Sequence, residues 1–421
     1  MISADEALAI VLESVAPLGI ERVPILGALD RAIAEEIHAP RNIPPFDNSS
    51  MDGYAVRAGD VAGASEANPV KLAVVETVPA GTMPSRRIGP GEAARTMTGA
   101  PIAAGADAIV PVERTRRAGD AVEILSAAEA GAFIRPRGED LKAGELVIPA
   151  GKRLSPADLG MLAALNRPML DVFRQPRVAI VTTGDELVDV GDAPAGAQII
   201  NSSAYSLAGA VREAGGEPSI LKTARDDPAE IRARLAEALA FDAVLATGGV
   251  SVGEFDHVKG ALDELGVRPL FHGVAQRPGR PLKFGTLGYR PVFGLPGNPV
   301  STLVCFYLYA RPAILKMGGF QRLGLPRARA RCGCDIRLAK ELTEFVRVKL
   351  ERDREEYVAR PTGNQSSGVL SSLSRADGLL IGPAAETMLK AGAYADVLLL
   401  GAGAESGPVG APPFEERRQS H

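Results

Sequence analysis

The sequence predicts a multidomain α/β protein built from a doubly wound sheet domain, small β modules and a helical N-terminal segment. Three observations carry this reading. The chain has 421 residues, too many for one compact core and enough for about three or four domains. From Arg177 to about Gly318, apolar strands alternate with helical patterns of about 10–15 residues, which indicates a parallel, doubly wound sheet. On either side of this block, β-type runs broken by Gly and Pro mark smaller modules.

In chain order, residues 1 to about 40 return Ala, Leu, Ile and Val at spacings of three and four, which predicts helix. RNIPPFDNSSMDGYAV follows, dense in Pro, Asn, Asp and Gly, and reads as a long ordered loop. From about 70 to 150, KLAVVETV, EAARTM, DAIVPVE, AVEIL and ELVIPAG predict a small all-β module. Between Leu154 and Leu170 the helical pattern returns behind Ser155 and Pro156, a cap and a first-turn proline.

The central block opens with RVAIVTTGDEL, a buried strand leaving into a polar loop. SSAYSLAGAVREAGG reads as helix, SILKTARDD as strand and PAEIRARLAEALA as helix. DAVLATGGVSVG is again a strand with a Gly-rich loop, DHVKGALDELG a helix, and PVFGLPGNP with the helix after it completes the series. The apolar stretch from Val300 to Leu315 is interrupted by Arg311 and Pro312, so it reads as a core helix, not a membrane span. From about 327 to 400 the runs are β-type again, ending in ADVLLL. The tail, 403–421, lacks core residues and is expected to be disordered.

Composition narrows the function classes. A hydrophobic share of 46% with 23% charged residues is ordinary for globular protein. The 47 basic and 51 acidic residues give a net charge of -4, with no basic stripe of the kind nucleic acid requires. A site can still be locally basic, so anionic ligands stay open. The N-terminus is acidic and amphipathic, without the basic start of a signal peptide, and no membrane association is expected. Three cysteines, Cys305, Cys332 and Cys334, give no disulfide framework and point to a reducing, cytoplasmic setting. Cys332-Gly333-Cys334 has no further Cys or His nearby and reads as two small residues in a strand.

Ligands of doubly wound sheets sit outside the carboxyl ends of the strands, and polar motifs fall there. In TGGVSVGEFD, Gly248 and Gly249 let the backbone approach a ligand, while Ser251 and Gly253 keep amides exposed at a helix start. Asp256, in the first turn, suits a bound cation or a hydrogen-bond acceptor, though a plain acidic cap also explains it. In LPGNP, from Pro296 and Gly297 to Asn298 and Pro299, Asn298 reads as N-cap and Pro299 as first helical residue. Asp185 and Glu186 of GDEL, with Asp226 and Asp227 of ARDDP, place four carboxylates on the same edge. Mg²⁺ takes one or two such carboxylates plus phosphate oxygens, and Asp227 before Pro228 is equally a good cap. QRPGRP supplies Arg277 and Arg280 around a tight turn, suited to a phosphate or oxyanion. Outside the sheet, NSSMDGYAV stacks Asn48, Ser49, Ser50 and Asp52, and ARTMTGAP and RPRGED repeat polar groups beside Gly, as binding loops do.

NSSMDGYAV, RTMTGAP with GADAIVPVE, RPRGEDL, TTGDEL, TGGVSVGEFD, GLPGNPVS and TGNQSSGVLSSLS occur in this order, and the chain resembles the MoeA family of molybdopterin molybdenumtransferases over about residues 1–400. That family includes the E domain of gephyrin and its plant counterpart. The resemblance implies an L-shaped, four-domain subunit, a homodimer and an active site in the cleft between subunits. It divides the chain into a discontinuous helical dimer domain (1–43 and 145–176), a β module (44–144), a molybdopterin-binding α/β domain (177–326) and a C-terminal β domain (327–402). It implies substrates, adenylylated molybdopterin and molybdate; a cofactor, Mg²⁺; and release of AMP and the molybdenum cofactor.

Carried over by motif, Asp52, Thr98, Arg135, Asp140, Glu186, Asp226 or Asp227, Asp256, Arg277, Arg280, Arg347 and Ser366 or Ser367 line that cleft. Asp256, Glu186, Asp140 and Asp52 are the implied catalytic carboxylates, and Asp226, Asp227 and Asp256 the implied metal ligands. The pterin and oxyanion fall to Thr98, Arg135, Arg347, Ser366 and Ser367, with Gly248, Gly249, Ser251, Gly253, Arg277, Arg280 and Pro296 to Pro299. Many relatives carry Lys where this chain has Arg277 and Arg280, and another family Lys falls near His272. The implied partners are the adenylyltransferase and apo-molybdoenzymes. Two other readings stand beside this one: an adenylyltransferase acting one step earlier, and a non-enzymatic pterin-binding scaffold.

Overall fold

The computed structural model describes residues 1–248 and 257–401; the expected disordered tail, 403–421, lies outside them. Two compact units form, one from residues 1–35, 150–162 and 167 onward, the other from 36–149 and 163–166. Among the described residues no helix is long and apolar enough to cross a membrane.

The first unit contains the doubly wound sheet that the alternating pattern predicts. Its order is Glu217–Ile220, Arg177–Thr182, Ala243–Thr247, Arg290–Leu295, Lys283–Leu287 and Arg268–His272. The first four strands are parallel; Lys283–Leu287 pairs antiparallel with both of its neighbours and so alone runs against the others, which corrects the expectation of a purely parallel sheet. Only Gly288 and Tyr289 separate Lys283–Leu287 from Arg290–Leu295, and a two-residue connection, with Gly288 at φ 60, closes only an antiparallel hairpin. SILKTARDD is also less regular than expected. Pairing stops at Ile220, then resumes as a single bridge between Ala224 and Thr183.

Side chains alternate across the sheet, as its period of two requires. Val178 and Ile180 join Leu245, Phe293 and Leu295 beneath the helices Ser202–Glu213, Pro299–Cys305 and Arg311–Met317. Ala179, Val181, Val244 and Ala246 face the helices Pro228–Ala238 and His257–Glu264. Burial on both faces explains why these strands read as continuous apolar runs.

The N-terminal helix is shorter than its periodicity suggests. It spans Ala4–Glu13, begins with a capping box between Ser3 and Glu6, and buries Ala4, Ala7, Leu8 and Val11 on one stripe. Pro17 and Gly19 follow, and Ile20–Pro24 is a strand paired with Met169–Phe173. That partner lies far along the chain, where a local pattern cannot register it. Ser155 caps the helix Pro156–Ala164 as expected, its Oγ accepting the Asp158 N–H at 3.3 Å, and Asp158 Oδ2 accepts the Ser155 N–H at 2.9 Å in return.

Asp242 ties down the start of the sheet. Its carboxylate, 9% exposed, accepts both terminal nitrogens of Arg174 at 3.2 Å, and the N–H and Nε of Arg177 at 2.9 and 3.2 Å. Burial pushes its pKa up, but the hydrogen bonds from Arg177 and Arg174 outweigh burial and hold the carboxyl below its ordinary range. A depressed folded pKa gives stability that is full above the unfolded value of about 3.9 and is lost as pH falls through the folded value. Asp242→Asn is expected to cost about 1–2 kcal/mol at neutral pH. It should also flatten the acid limb of stability, read as urea midpoints from neutral to acid pH; superimposable wild-type and variant profiles would contradict this.

After the sheet, Thr343–Asp353, Glu356–Pro361, Arg327–Cys332, Tyr394–Leu399 and Gly378–Gly382 pair in that order, and the last also pairs back to the first. The two-residue strand Gln276–Arg277 adds to its edge through Thr343 and Glu344. This pairing brings the arginine turn against the C-terminal strands.

The second unit is a six-stranded sheet in the order Ala108–Pro111, Gly53–Val56, Glu92–Thr96, Val70–Val78, Ala121–Ile124 and Thr115–Ala118. It holds the predicted all-β module and extends it, because GYAV, read as the end of a loop, is a central strand. Gly53 is required there: a Cβ would lie 2.4 Å from the Val110 carbonyl oxygen. ELVIPAG instead leaves this sheet, and Leu146–Ile148 pairs with Ile37–His38.

Candidate functional site

The carboxyl edge of the parallel strands gathers most of the motifs that the sequence singles out. Gly248 follows Ala243–Thr247 with φ 93, and a Cβ on it would lie 2.2 Å from the Thr183 carbonyl oxygen. Gly297 stands close by, its Cβ position 3.8 Å from Gly248 Cα. Two chain segments therefore approach through backbone alone. Beside them Thr183 is 2% exposed, and its Oγ1 has no hydrogen-bond partner among the described residues. Buried hydroxyls ordinarily have a partner, which can be an ordered water or a ligand. Gly249, Ser251, Gly253 and Asp256 lie outside the described residues.

The carboxylates have divided duties. Asp185 Oδ1 accepts the Asp226 N–H at 3.2 Å, which tethers the GDEL and ARDDP loops. Glu186 is exposed, and its carboxylate folds over Gly184, where a Cβ would lie 2.5 Å from Oε2. Asp227 caps the helix Pro228–Ala238, accepting the Glu230 N–H at 2.8 Å. Asp226 is exposed beside it. Among the described residues no group of three or more His, Cys, Asp or Glu side chains forms an all-protein metal cage.

Next to this edge is a cavity of about 570 Å³. Arg277 and Arg280 line it with Pro296, Asn298, Ser366 and Ser367, so six of the sequence-predicted residues meet in one place. Asn298 is the N-cap residue of Pro299–Cys305, as predicted, but its side chain makes no capping hydrogen bond. Its amide stands at the cavity wall instead. Ser367 is held by its carbonyl, which accepts the Val300 N–H at 3.1 Å. Among the described residues the lining contains two guanidiniums and no carboxylate, so its potential favours an anion.

Arg347 is placed differently from the expectation. It is 1% exposed and lies behind the cavity wall. Its Nε donates to Ser372 Oγ at 3.3 Å and its N–H to Gln365 Oε1 at 2.9 Å, so it holds the loop that bears Ser366. Burial pushes its pKa down to about 10, against the pull of Glu344. The guanidinium remains charged at neutral pH. Glu344, 4% exposed, also pairs with Arg277 Nε at 3.7 Å and accepts the Ala339 N–H at 2.6 Å. Nothing in the sequence pattern singles out Glu344, Gln276 or Gln365. Gln365 lies within TGNQSS without standing out, and Glu344 sits in an ordinary strand pattern.

In the second unit, the three polar loops converge as expected. Asp52 Oδ1 accepts both the N–H and the Oγ1–H of Thr98 at 2.7 Å. These hydrogen bonds, first from the amide and then from the hydroxyl, hold its carboxyl below the ordinary range. Ile134–Arg135 pairs with Asn48–Ser49, and the Asp140 N–H donates to the Ile43 carbonyl at 3.0 Å. Asp52, Thr98, Arg135 and Asp140 therefore share one loop cluster. His272, on the strand Arg268–His272 opposite Lys283, is exposed and does not line the cavity.

Three family descriptions match the chain in order: the MoeA N-terminal region (domain I and II) over residues 2–166, the probable molybdopterin binding domain over 179–316, and the MoeA C-terminal region (domain IV) over 329–400. A molybdopterin molybdenumtransferase of Nostoc sp. is 36% identical over 387 residues, which cover 90% of this chain and 88% of that protein. Molybdopterin molybdenumtransferase 2 of Mycobacterium tuberculosis is 38% identical over 364 residues, covering 85% and 89%. Two solved structures of the molybdopterin biosynthesis MoeA protein from Pyrococcus horikoshii align with TM-scores of 0.80 and 0.79, at 35% and 32% identity. Both alignments cover 95% of this chain, and 99% and 100% of those.

Proposed function

The chain belongs to the MoeA family of molybdopterin molybdenumtransferases, and from this premise we propose that it inserts molybdate into adenylylated molybdopterin, releasing AMP and molybdenum cofactor. The single observation that carries the proposal beyond the family is the cavity itself. Two arginines and a helix N-cap residue surround a space that no carboxylate of the described residues lines, beside a glycine-lined sheet edge.

The chemical problem is to hold two anions together, an oxyanion and a phosphate ester. Arg277 and Arg280 offer planar forks suited to a tetrahedral oxyanion, and Asn298, Ser366 and Ser367 add neutral hydrogen bonds. The pterin is proposed to lie along Gly248, Pro296, Gly297 and Pro299, where the backbone leaves room for it. Glu186 at the edge is placed to orient the oxygen, from water or from molybdate, that attacks phosphorus as AMP leaves. Such positioning of reactants, with preorganised charge, supplies most of the acceleration in this kind of transfer. The Cys305 thiol, beneath the arginine turn, is buried and its pKa is pushed far up, so it is no nucleophile; the sulfurs that take molybdenum belong to the pterin.

Mg²⁺ fits this edge, because it needs only one or two carboxylates when phosphate oxygens and water complete its shell. Asp226 and Asp227, tethered through Asp185, would hold it with Asp256. When bound it neutralises phosphate charge. Asp52, Thr98, Arg135 and Asp140 are proposed to act on the same substrates, with Asp52 ionised throughout the neutral range. Homodimerisation, a cytoplasmic location and delivery to apo-molybdoenzymes belong to the same proposal. So does the division into domains 1–43 with 145–176, 44–144, 177–326 and 327–402, which the pairing of Ile20–Pro24 with Met169–Phe173 supports.

An adenylyltransferase acting one step earlier would need neither flanking region, whereas residues 2–166 and 329–400 both match MoeA regions. Incubation with ATP and metal-free molybdopterin tests this directly. No net adenylylated product is expected, and its accumulation would overturn the assignment.

A further inference from the structure

The turn that bears Arg277 and Arg280 rests on a buried polar frame. Gln276 is 0% exposed. Its Nε2 donates to the Pro278 carbonyl at 2.9 Å, and its Oε1 accepts the hydroxyl of Tyr309, itself 0% exposed. Cys305 adds a weaker contact, with Sγ 3.6 Å from the Gly279 carbonyl. Cys305 ends the helix Pro299–Cys305, and Tyr309 belongs to the π turn Phe306–Ala310 that continues it. One helix thus presents Asn298 to the cavity at its start and, a few residues on, reaches under the arginine turn. Gly279, at φ 96, lets the turn sit this low: a Cβ would lie 2.4 Å from Cys305 Sγ and 2.7 Å from Gln276 Nε2.

We propose that Tyr309 and Gln276 are positioning residues for the oxyanion, a hydrogen-bonded relay that sets the height and spacing of Arg277 and Arg280. The relay rests on the reading that these arginines hold molybdate. Neither residue touches the reacting atoms through its relay contacts. Each acts by fixing the carbonyl of Pro278, the residue between the two arginines' flanks. A buried hydroxyl with one committed acceptor has a defined direction, so its loss releases the turn without removing a charge. π turns occur often at functional sites, and the Tyr309 hydroxyl that reaches Gln276 lies in one.

The test measures molybdate binding by titration calorimetry and molybdate KM from AMP release, in the full-length protein. Tyr309→Phe is expected to weaken molybdate binding and raise molybdate KM by about 5- to 10-fold, the loss of one buried hydrogen bond. Its kcat at saturating molybdate and its KM for adenylylated molybdopterin should stay at wild-type values. Gln276→Met, of similar length, should do the same if Tyr309→Phe folds poorly, and Tyr307→Phe, two positions from both Cys305 and Tyr309, should change nothing. Unchanged molybdate KM in both relay variants overturns the proposal, as does a parallel rise in the pterin KM, which would mean general loosening. Wild-type protein that binds no molybdate would instead remove the functional reading on which the relay rests.

Discussion

Replacing Arg277 and Arg280 together by alanine is expected to raise the molybdate concentration needed for half-maximal AMP release by about 100-fold. Each charge-assisted hydrogen bond contributes about 1.5–3 kcal/mol where water is excluded. The Arg277 side chain is 55% exposed, so solvent screening reduces that figure, and about 3 kcal/mol for the pair corresponds to the stated factor. The single variants separate two effects. Arg277→Ala leaves the buried Glu344 carboxylate facing only Arg347 among its two guanidinium neighbours, so it should lose stability as well as affinity. Arg280→Ala, whose Nε contacts Met1 Sδ at 3.1 Å, should lose affinity with little loss of stability. Lysine at both positions should restore most of the binding, because it keeps the charge and lacks only the planar fork. An alanine pair with wild-type molybdate dependence would remove the arginines from the site.

Gly248→Ala is expected to abolish most activity and to destabilise the protein by about 2–4 kcal/mol. Two costs add here. At φ 93 an L-residue is strained, and the new Cβ would sit 2.2 Å from the Thr183 carbonyl oxygen, a backbone atom that no rotamer change can move. Relief requires the strand ends to separate. That movement would displace Thr183 and Gly297, the two groups that share this corner of the edge. The variant should melt earlier and, below its melting range, show kcat reduced by about 100-fold or more. Gly99→Ala is a useful control: that glycine also has positive φ, 80, but a Cβ there meets nothing within 4 Å. Gly248→Ala with wild-type melting and turnover would show that close approach at this edge is dispensable.

Much of this was legible in the residues, for reasons that differ by element. The parallel strands were legible because burial on both faces leaves unbroken runs such as RVAIVT and AVLAT. The reversed strand Lys283–Leu287 was not, since its direction follows from a two-residue connection, not from composition. The N-terminal helix was overextended because Ile20–Pro24 gains its structure from a strand about 150 residues away. Arg277, Arg280 and Asn298 were legible as polar groups beside Gly and Pro, whereas Ser366 and Ser367 came only with the family resemblance. Glu344, Gln276 and Tyr309 were not, because each acts on another residue across the tertiary structure and no spacing announces it. Arg347 shows the reverse: a charged residue near a site that supports the wall from behind. Asp227 fulfils the simpler of its two readings, as a helix cap, and a capping carboxylate still keeps an oxygen for a cation.

The measurement that bears most directly on the central claim is AMP release from adenylylated molybdopterin, titrated with molybdate. The account predicts release that rises with molybdate and saturates, one AMP for each molybdenum cofactor formed, and that falls when Arg280 is replaced by alanine. AMP release independent of molybdate, or none at any molybdate concentration, would contradict it.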